Sequence, residues 1–377
     1  MKLKILQIIN NLGSGGAEKL ISDFVPLIAQ RGHCIEILLL QKQGSIYIDE
    51  LQKQGICVTS LSESNLFSIS HIWKIRKFIK KGNFDVVHVH IFPALYFVAV
   101  AALFGIGKSK LCFTEHNTTN RRMENTFFRV IDKWIYSFYE TIICITDEVR
   151  NNIQRHLENK KLQYITVLNG VNLSNFAHPI QLKKESLYDN YTKEDRIITM
   201  VARFSEQKDQ GTLIKSLQYL SANIHLLLVG EGPLKKKNED LVSELNLSDR
   251  IHFLGLRKDI PDILRLSDIG VLSSNWEGMP LSGIEVMAAG IPFIGADVPG
   301  IKELIIPHPQ AGLLFSKGNS KELAYQINYL LENPALYGER AIACKKQSQE
   351  YSIEKMVRGY LTVYKKMLNE NDQTQNI

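Results

Sequence analysis

The chain is poor in the features that would tie it to a metal, a redox cofactor or a membrane span. Its 5 cysteines, Cys34, Cys57, Cys112, Cys144 and Cys344, lie far apart with no CxxC pair. That excludes ribbon-type zinc and dithiol motifs and leaves them as small core residues of a reduced protein. No Asp-x-Asp occurs to hold a divalent ion on a diphosphate, and His88, Glu115 and His116 lack the close ligand spacing of zinc motifs. No metal and no cofactor are therefore expected. The longest apolar stretch, Ile91 to Gly107, is divided by Pro93 and falls short of the ~20 residues a span needs. A buried strand followed by a buried helix is expected there instead. The apolar core of Met1 to Asn11 is only Ile5 to Ile9, broken by Gln7. It is too short for a secretory leader, and a cytoplasmic location is expected. Gly13, Gly15 and Gly16 in NLGSGGAE miss the GxGxxG spacing, which disfavours a nicotinamide enzyme.

What is present is length and alternation. At 377 residues and 45% hydrophobic the chain reads as two domains, each able to bury a sizeable interior. Strands are expected at Lys2 to Ile9, His33 to Leu40, Ile56 to Leu61, Phe84 to Val89, Leu111 to His116, Glu140 to Ile145 and Tyr164 to Leu168, with helical segments between them. This is the pattern of a doubly wound parallel α/β sheet. The same alternation restarts at Arg196 to Val201. The expected division is residues 1–185 and 186–360, with 361–377 as the end of a terminal helix and a polar tail. The polar stretch Ala177 to Glu194 is expected to be the hinge.

The net charge of +6 is uneven, since residues 1–189 hold 23 Lys+Arg against 16 Asp+Glu. Part of the surplus lies in Ile69 to Lys81, where Ile72, Ile75, Phe78 and Ile79 fall at helical spacing among Lys74, Arg76, Lys77, Lys80 and Lys81. Two readings stand: a surface helix docking its apolar stripe on the sheet, or an interfacial helix drawn to an anionic membrane surface. Nucleic acid is not expected as a partner, because the basic patch comes with no recognisable nucleic-acid module.

The chain is organised around SSNWEGMPLSGIEVMAAG, Ser273 to Gly290. The apolar run Ile269 to Leu272 reads as a buried strand, Glu277 falls in the following loop, and Pro280 suits the first turn of a helix. A helix N-terminus there offers free amides and the positive end of a dipole to phosphate oxygens. Glu285 lies about one turn inside that helix, so it and Glu277 are not helical neighbours and are expected to bracket a ligand with hydroxyls at two places. Arg203 and Lys208 precede another helix, where two cations suit the charge that develops on a departing pyrophosphate. Asp209 is placed to cap that helix. His88 and His90 alternate along one strand end, and His116 ends the next strand.

Glu277-Gly278-Met279-Pro280, Glu285 and Met287-Ala288-Ala289-Gly290 closely resemble the signature of the retaining glycosyltransferases of family 4, of the bacterial surface-polysaccharide type. The resemblance spans the whole chain and is strongest from Met200 to Glu303. It implies the GT-B fold, two Rossmann-like domains facing a central cleft. It further implies that Glu277 faces the donor sugar and Glu285 the ribose. The backbone near Gly278, Met279, Pro280 and Leu281 would serve the sugar and pyrophosphate, except that Pro280 has no N–H. Arg203-Phe204 followed by Lys208 matches the family's cationic motif, which often has glycine after the lysine where Asp209 stands. Gly15-Gly16-Ala17-Glu18 looks like the family's first loop, and Gly255 and Leu256 resemble its nucleotide-base loop. His116 matches the family's Thr-x-His step beside the donor sugar. His90, Arg121, Arg122 and Gly15 are acceptor-side candidates.

The expectation is a retaining, metal-independent glycosyltransferase. Its donor is a nucleotide diphosphate sugar, expected to be UDP-linked, and its acceptor a saccharide or lipid-linked saccharide of cell-surface polysaccharide assembly. Such an enzyme would be cytoplasmic or peripheral on the inner membrane face. A GT-B sugar-nucleotide epimerase and a non-catalytic sugar- or lipid-binding module are the alternatives.

Overall fold

The structure, a computed structural model, describes residues 1–118 and 126–369. Arg121 and Arg122, and the polar tail from Asn371, lie outside the described residues. The chain forms two compact units, one from Met1–Gly170 together with the chain from Ile353 onward, the other Val171–Ser352.

In chain order the first unit runs β1 Lys4–Ile9, α1 Gly16–Gln30, β2 Cys34–Leu39, α2 Ile48–Lys53, β3 Cys57–Ser60, α3 Ser70–Gly82, β4 Val86–His90, α4 Ala94–Leu103, β5 Lys110–Glu115, α5 Thr126–Tyr136, β6 Thr141–Cys144, α6 Asp147–Leu157 and β7 Gln163–Thr166. The strands form one parallel sheet in the order β3-β2-β1-β4-β5-β6-β7. Strand order reverses between β1 and β4, which pair directly, Gln7 opposite His88. Nearly continuous buried runs drive the sheet, as expected for parallel strands covered on both faces: Ile5, Leu6, Ile8, Val87, Val89, Phe113 and Ile142 are all buried. Each such side chain contributes on the order of 2 kcal/mol by leaving water.

Ile91 to Gly107 departs from the expectation of a strand and a helix. The strand β4 ends at His90, Ile91 adopts a left-handed φ of 51°, and only the helix α4 follows. The Asn10 side chain ties this turn down, donating from Nδ2 to Phe92 O at 2.7 Å and accepting the Ala94 amide at 3.3 Å.

The second unit runs β8 Arg196–Val201, α7 Gln210–Ser216, β9 Ile224–Val229, α8 Lys235–Glu244, β10 Ile251–Gly255, α9 Ile260–Leu266, β11 Ile269–Leu272, α10 Leu281–Ala289, β12 Phe293–Ala296, α11 Lys302–Ile305, β13 Leu313–Phe315, α12 Ser320–Leu331 and α13 Pro334–Ser348. Its parallel sheet has the order β10-β9-β8-β11-β12-β13, reversing between β8 and β11. The last helix, α14 Ile353–Asn369, belongs to the first unit and packs on α1, with Tyr360 against Phe24.

The unit boundary at Gly170 and Val171 falls earlier than the expected 185/186, and the chain returns at Ile353 rather than at 361. The reason is that the polar stretch is anchored by its few apolar residues. Leu187 and Tyr188 are buried against Ile197, Leu227 and Val229. The Tyr188 ring stacks on His225 and His252 at 4.6 and 4.3 Å, and its hydroxyl donates to Asp195 at 3.0 Å. Ala177 to Glu194 is thus part of the second unit rather than a free hinge. Val171 bridges Ser352, so the second unit begins and ends at one place.

Candidate active site

In open α/β sheets, ligands bind beyond the C-terminal strand ends where the strand order reverses. In the second unit that point lies between β8 and β11, whose register sets Ile198 beside Ile269 and Thr199 beside Gly270. The loops leaving these strands are 202–209 and 273–280, the two that carry Arg203, Lys208 and Glu277.

The two loops are stitched together. Asn275 N donates to Gln207 O at 2.7 Å, Asn275 Nδ2 to Glu206 O at 2.8 Å, and Ser273 Oγ to Asp209 O at 2.8 Å. On this frame Lys208 Nζ reaches Glu277 Oε1 at 2.5 Å. Ser274 Oγ donates to the same oxygen at 2.6 Å, and Gln207 Nε2 to Glu277 Oε2 at 3.3 Å. The carboxylate is only 4% exposed, and a cation and two neutral donors surround it, as a buried carboxylate requires. Ser274 and Gln207 were not singled out in the sequence; their signal was adjacency to Glu277 and Lys208.

Asp209 caps α7 as expected, its side chain accepting from Thr212 N at 3.3 Å and Thr212 Oγ1 at 2.6 Å. It does so at φ 44°, a conformation that favours glycine and accounts for glycine as an alternative there. Arg203 is exposed, and its carbonyl accepts from Gln210 Nε2 at 3.0 Å.

Pro280 is the N-cap of α10, one place ahead of the expected first turn. The first intrahelical bond is Gly283 N to Pro280 O at 3.1 Å, so the amides of Leu281 and Ser282 precede it at the positive end of the helix. Glu285 sits on the fifth residue of α10, 7% exposed. Met279 is buried beneath the loop.

Two glycine loops press on this edge. Gly300, at φ 84°, lies so close that a Cβ there would stand 2.7 Å from the Glu277 carbonyl and from Gly278 O. Its amide donates to the Glu303 carboxylate. A Cβ on Gly232 would stand 2.7 Å from Phe204 N, and Phe204 N donates to Glu231 O at 3.1 Å. Gly255 ends β10 at φ 64° with its carbonyl accepting from Gly230 N at 2.8 Å, and Leu256 is exposed beside it.

In the first unit, Gly15 is the N-cap of α1 and Gly16 its first residue, directly after β1. A Cβ on Gly15 would collide with the Glu18 carboxylate folded over it. At the same sheet edge a buried polar chain runs through β1, β4 and β5. His90 Nε2 donates to Gln7 Oε1 at 2.8 Å, and His90 Nδ1 lies 3.1 Å from His116 Nε2. His88 meets Tyr364 Oη at 2.7 Å and Thr114 Oγ1 at 2.6 Å. Burial holds His116 down at about 4, and burial with neighbouring imidazoles holds His88 and His90 well below the usual histidine range. All three are neutral near pH 7. Both ring nitrogens of His90, an acceptor-side candidate of the sequence, are engaged, and the residue is fully buried.

Two family models match in succession, Glycosyltransferase Family 4 over residues 14–175 and Glycosyl transferases group 1 over residues 186–351. The chain belongs to the family 4 glycosyltransferases of GT-B fold. This glycosyltransferase is 27% identical over 393 residues to N-acetyl-alpha-D-glucosaminyl L-malate synthase of Bacillus anthracis, covering 98% of this chain and 99% of the relative. It is 29% identical over 279 residues to an Escherichia coli UDP-Gal:alpha-D-GlcNAc-diphosphoundecaprenol alpha-1,3-galactosyltransferase, covering 70% of this chain and 71% of the relative. The crystal structure of Anabaena HepE with UDP and glucose superposes with a TM-score of 0.84 at 20% identity, covering 97% of this chain and 100% of that one. A likeness at that identity establishes the shared fold.

Proposed function

We propose that this glycosyltransferase moves a sugar from a UDP-sugar to a lipid-linked saccharide with retention of anomeric configuration, without a metal ion, in surface polysaccharide assembly. The observation that carries the reading is the Lys208–Glu277 pair, held between the two loops at the strand-order reversal of the second unit. Arg203 and Lys208 stabilise the departing diphosphate, with the Leu281 and Ser282 amides adding dipole. Glu277 receives the donor sugar and Glu285 the ribose hydroxyls. As the bond from the anomeric carbon to the phosphate oxygen breaks, the acceptor oxygen bonds to that carbon from the same face. The acceptor proton passes to the departing phosphate oxygen. Lys208 leaves Glu277 for the phosphate when the donor binds, the ion pair with Glu277 having held the ammonium at the site.

A UDP-linked donor and a lipid diphosphate acceptor are supported by the names of the Escherichia coli relative and of the Anabaena complex. A membrane-facing role is supported by the surface of α3. Ile75 and Ile79 are buried in the first unit, so the apolar stripe is already used. What remains outward is Trp73, 54% exposed, with Lys74, Lys77, Lys80 and Lys81, and beside it Phe104 at a ring distance of 4.7 Å. Exposed aromatics ringed by lysines suit an anionic bilayer interface. Among the described residues no helix is long and apolar enough to cross a membrane.

The test is transfer from UDP-galactose, UDP-glucose and UDP-N-acetylglucosamine to an undecaprenyl diphosphate-linked sugar, with product configuration read by NMR. An α-linked product from one donor is expected. A β-linked product, or no transfer from any, overturns the proposal.

A further inference from the structure

The buried chain in the first unit has a direction. Gln7 presents its carbonyl to His90 and its amide to Tyr364, donating from Nε2 to Tyr364 Oη at 3.3 Å. Each imidazole in the chain has one proton to give. His90 spends its proton on Gln7, so its Nδ1 accepts, and His116 must donate from Nε2. On the other side Tyr364 Oη, already accepting from Gln7, gives its own proton to His88 Nδ1, and His88 then donates from Nε2 to Thr114. Five hydrogen bonds thus point one way, from His116 through His90, Gln7, Tyr364 and His88 to Thr114. Every side chain in between is fully buried, so water offers no substitute partner.

We infer that Tyr364 is a positioning residue: from the returning helix α14 it orients Gln7 and thereby fixes His116 as the tautomer that bears hydrogen on Nε2. The remaining nitrogen of His116, Nδ1, then carries a lone pair. Resting on the proposed glycosyltransferase reading and on the place beside the donor sugar that the family resemblance implies for His116, this makes His116 an acceptor for a sugar hydroxyl rather than a donor to a ring or carbonyl oxygen. Tyr364→Phe removes the acceptor of the Gln7 amide and the donor to His88. Gln7 is then free to turn over, and with its amide toward His90 every proton in that branch shifts, placing hydrogen on His116 Nδ1.

The experiment is long-range ¹H–¹⁵N correlation on full-length protein labelled at histidine, at pH 7, for wild type, Tyr364→Phe and Met367→Ala. Met367 is buried on the same helix and has no part in the chain. Expected are a single Nε2–H tautomer of His116 in wild type and Met367→Ala, and a mixture in Tyr364→Phe. Transfer turnover in Tyr364→Phe should fall by on the order of tenfold, with the donor KM unchanged. An Nδ1–H tautomer in wild type, or the same tautomer in Tyr364→Phe, overturns the inference, as does a mixture in Met367→Ala. If the tautomers behave as stated while His116→Ala turns over at the wild-type rate, the hydrogen-bond chain stands and the assignment of His116 to the reaction falls.

Discussion

Lys208 Nζ stands 2.5 Å from Glu277 Oε1, and the two residues are joined through loops from neighbouring parallel strands rather than through sequence proximity. A buried carboxylate left without its cation is costly, more so than removal of both charges together. Lys208→Ala is therefore expected to destabilise the protein by about 3 kcal/mol and to lower turnover by ~10²-fold. Adding Glu277→Gln to it should restore much of the stability and none of the activity. Urea unfolding with transfer rates on the two variants checks this, and a double variant as unstable as the single would contradict the pairing.

Gly300 tests the frame from behind. Its φ of 84° and the 2.7 Å approach to the Glu277 carbonyl leave no room for a methyl group. Gly300→Ala is expected to cost more than about 1 kcal/mol and to reduce turnover, because Glu277 must shift to admit the Cβ. Equal melting temperature and activity in the two proteins would show that this contact is not constraining.

Asp209 offers two opposing substitutions. Its backbone is left-handed while its carboxylate caps α7. Asp209→Gly loses the cap and relieves the backbone, so the net change should be a few tenths of a kcal/mol, roughly. Asp209→Ala loses the cap and keeps the strain, for about 1–2 kcal/mol. Chemical denaturation orders the two, and alanine no worse than glycine would refute the capping account.

The buried imidazoles set a pH dependence. His116 and His252 titrate at about 4 in the folded chain, and His88, His90 and His225 are also lowered, burial being the first cause in each. Unfolded histidine titrates near ~6.5, so between that value and about 4 the unfolded state binds more protons. Stability contributed by these groups is full above ~6.5 and is lost as pH falls below it; for His116 the loss continues to about 4, at up to about 1.4 kcal/mol per pH unit. Urea midpoints at pH 7.5 and 5 should show the fall, and a flat profile would mean that these imidazoles are not held neutral.

The organising stretch was legible because local signals agree there. The apolar run Ile269–Leu272, the small polar loop and the helix from Leu281 each follow from neighbouring residues. The strand β13 was missed because Leu313–Phe315 is too short for a period to show. Ile91 misled because an apolar residue filled a left-handed turn. The unit boundary misled because two residues, Leu187 and Tyr188, anchor an otherwise polar stretch. The His116 chain was illegible for a different reason. Its Gln7–Tyr364 link joins positions 357 apart, and no local pattern pairs them.

The most direct measurement is calorimetric titration of UDP into wild type, Lys208→Ala and Glu285→Ala. The account predicts saturable binding to wild type, weakened at least about tenfold in each variant, as loss of a charged or bidentate contact requires. Equal affinity in all three proteins would place the nucleotide elsewhere and contradict it.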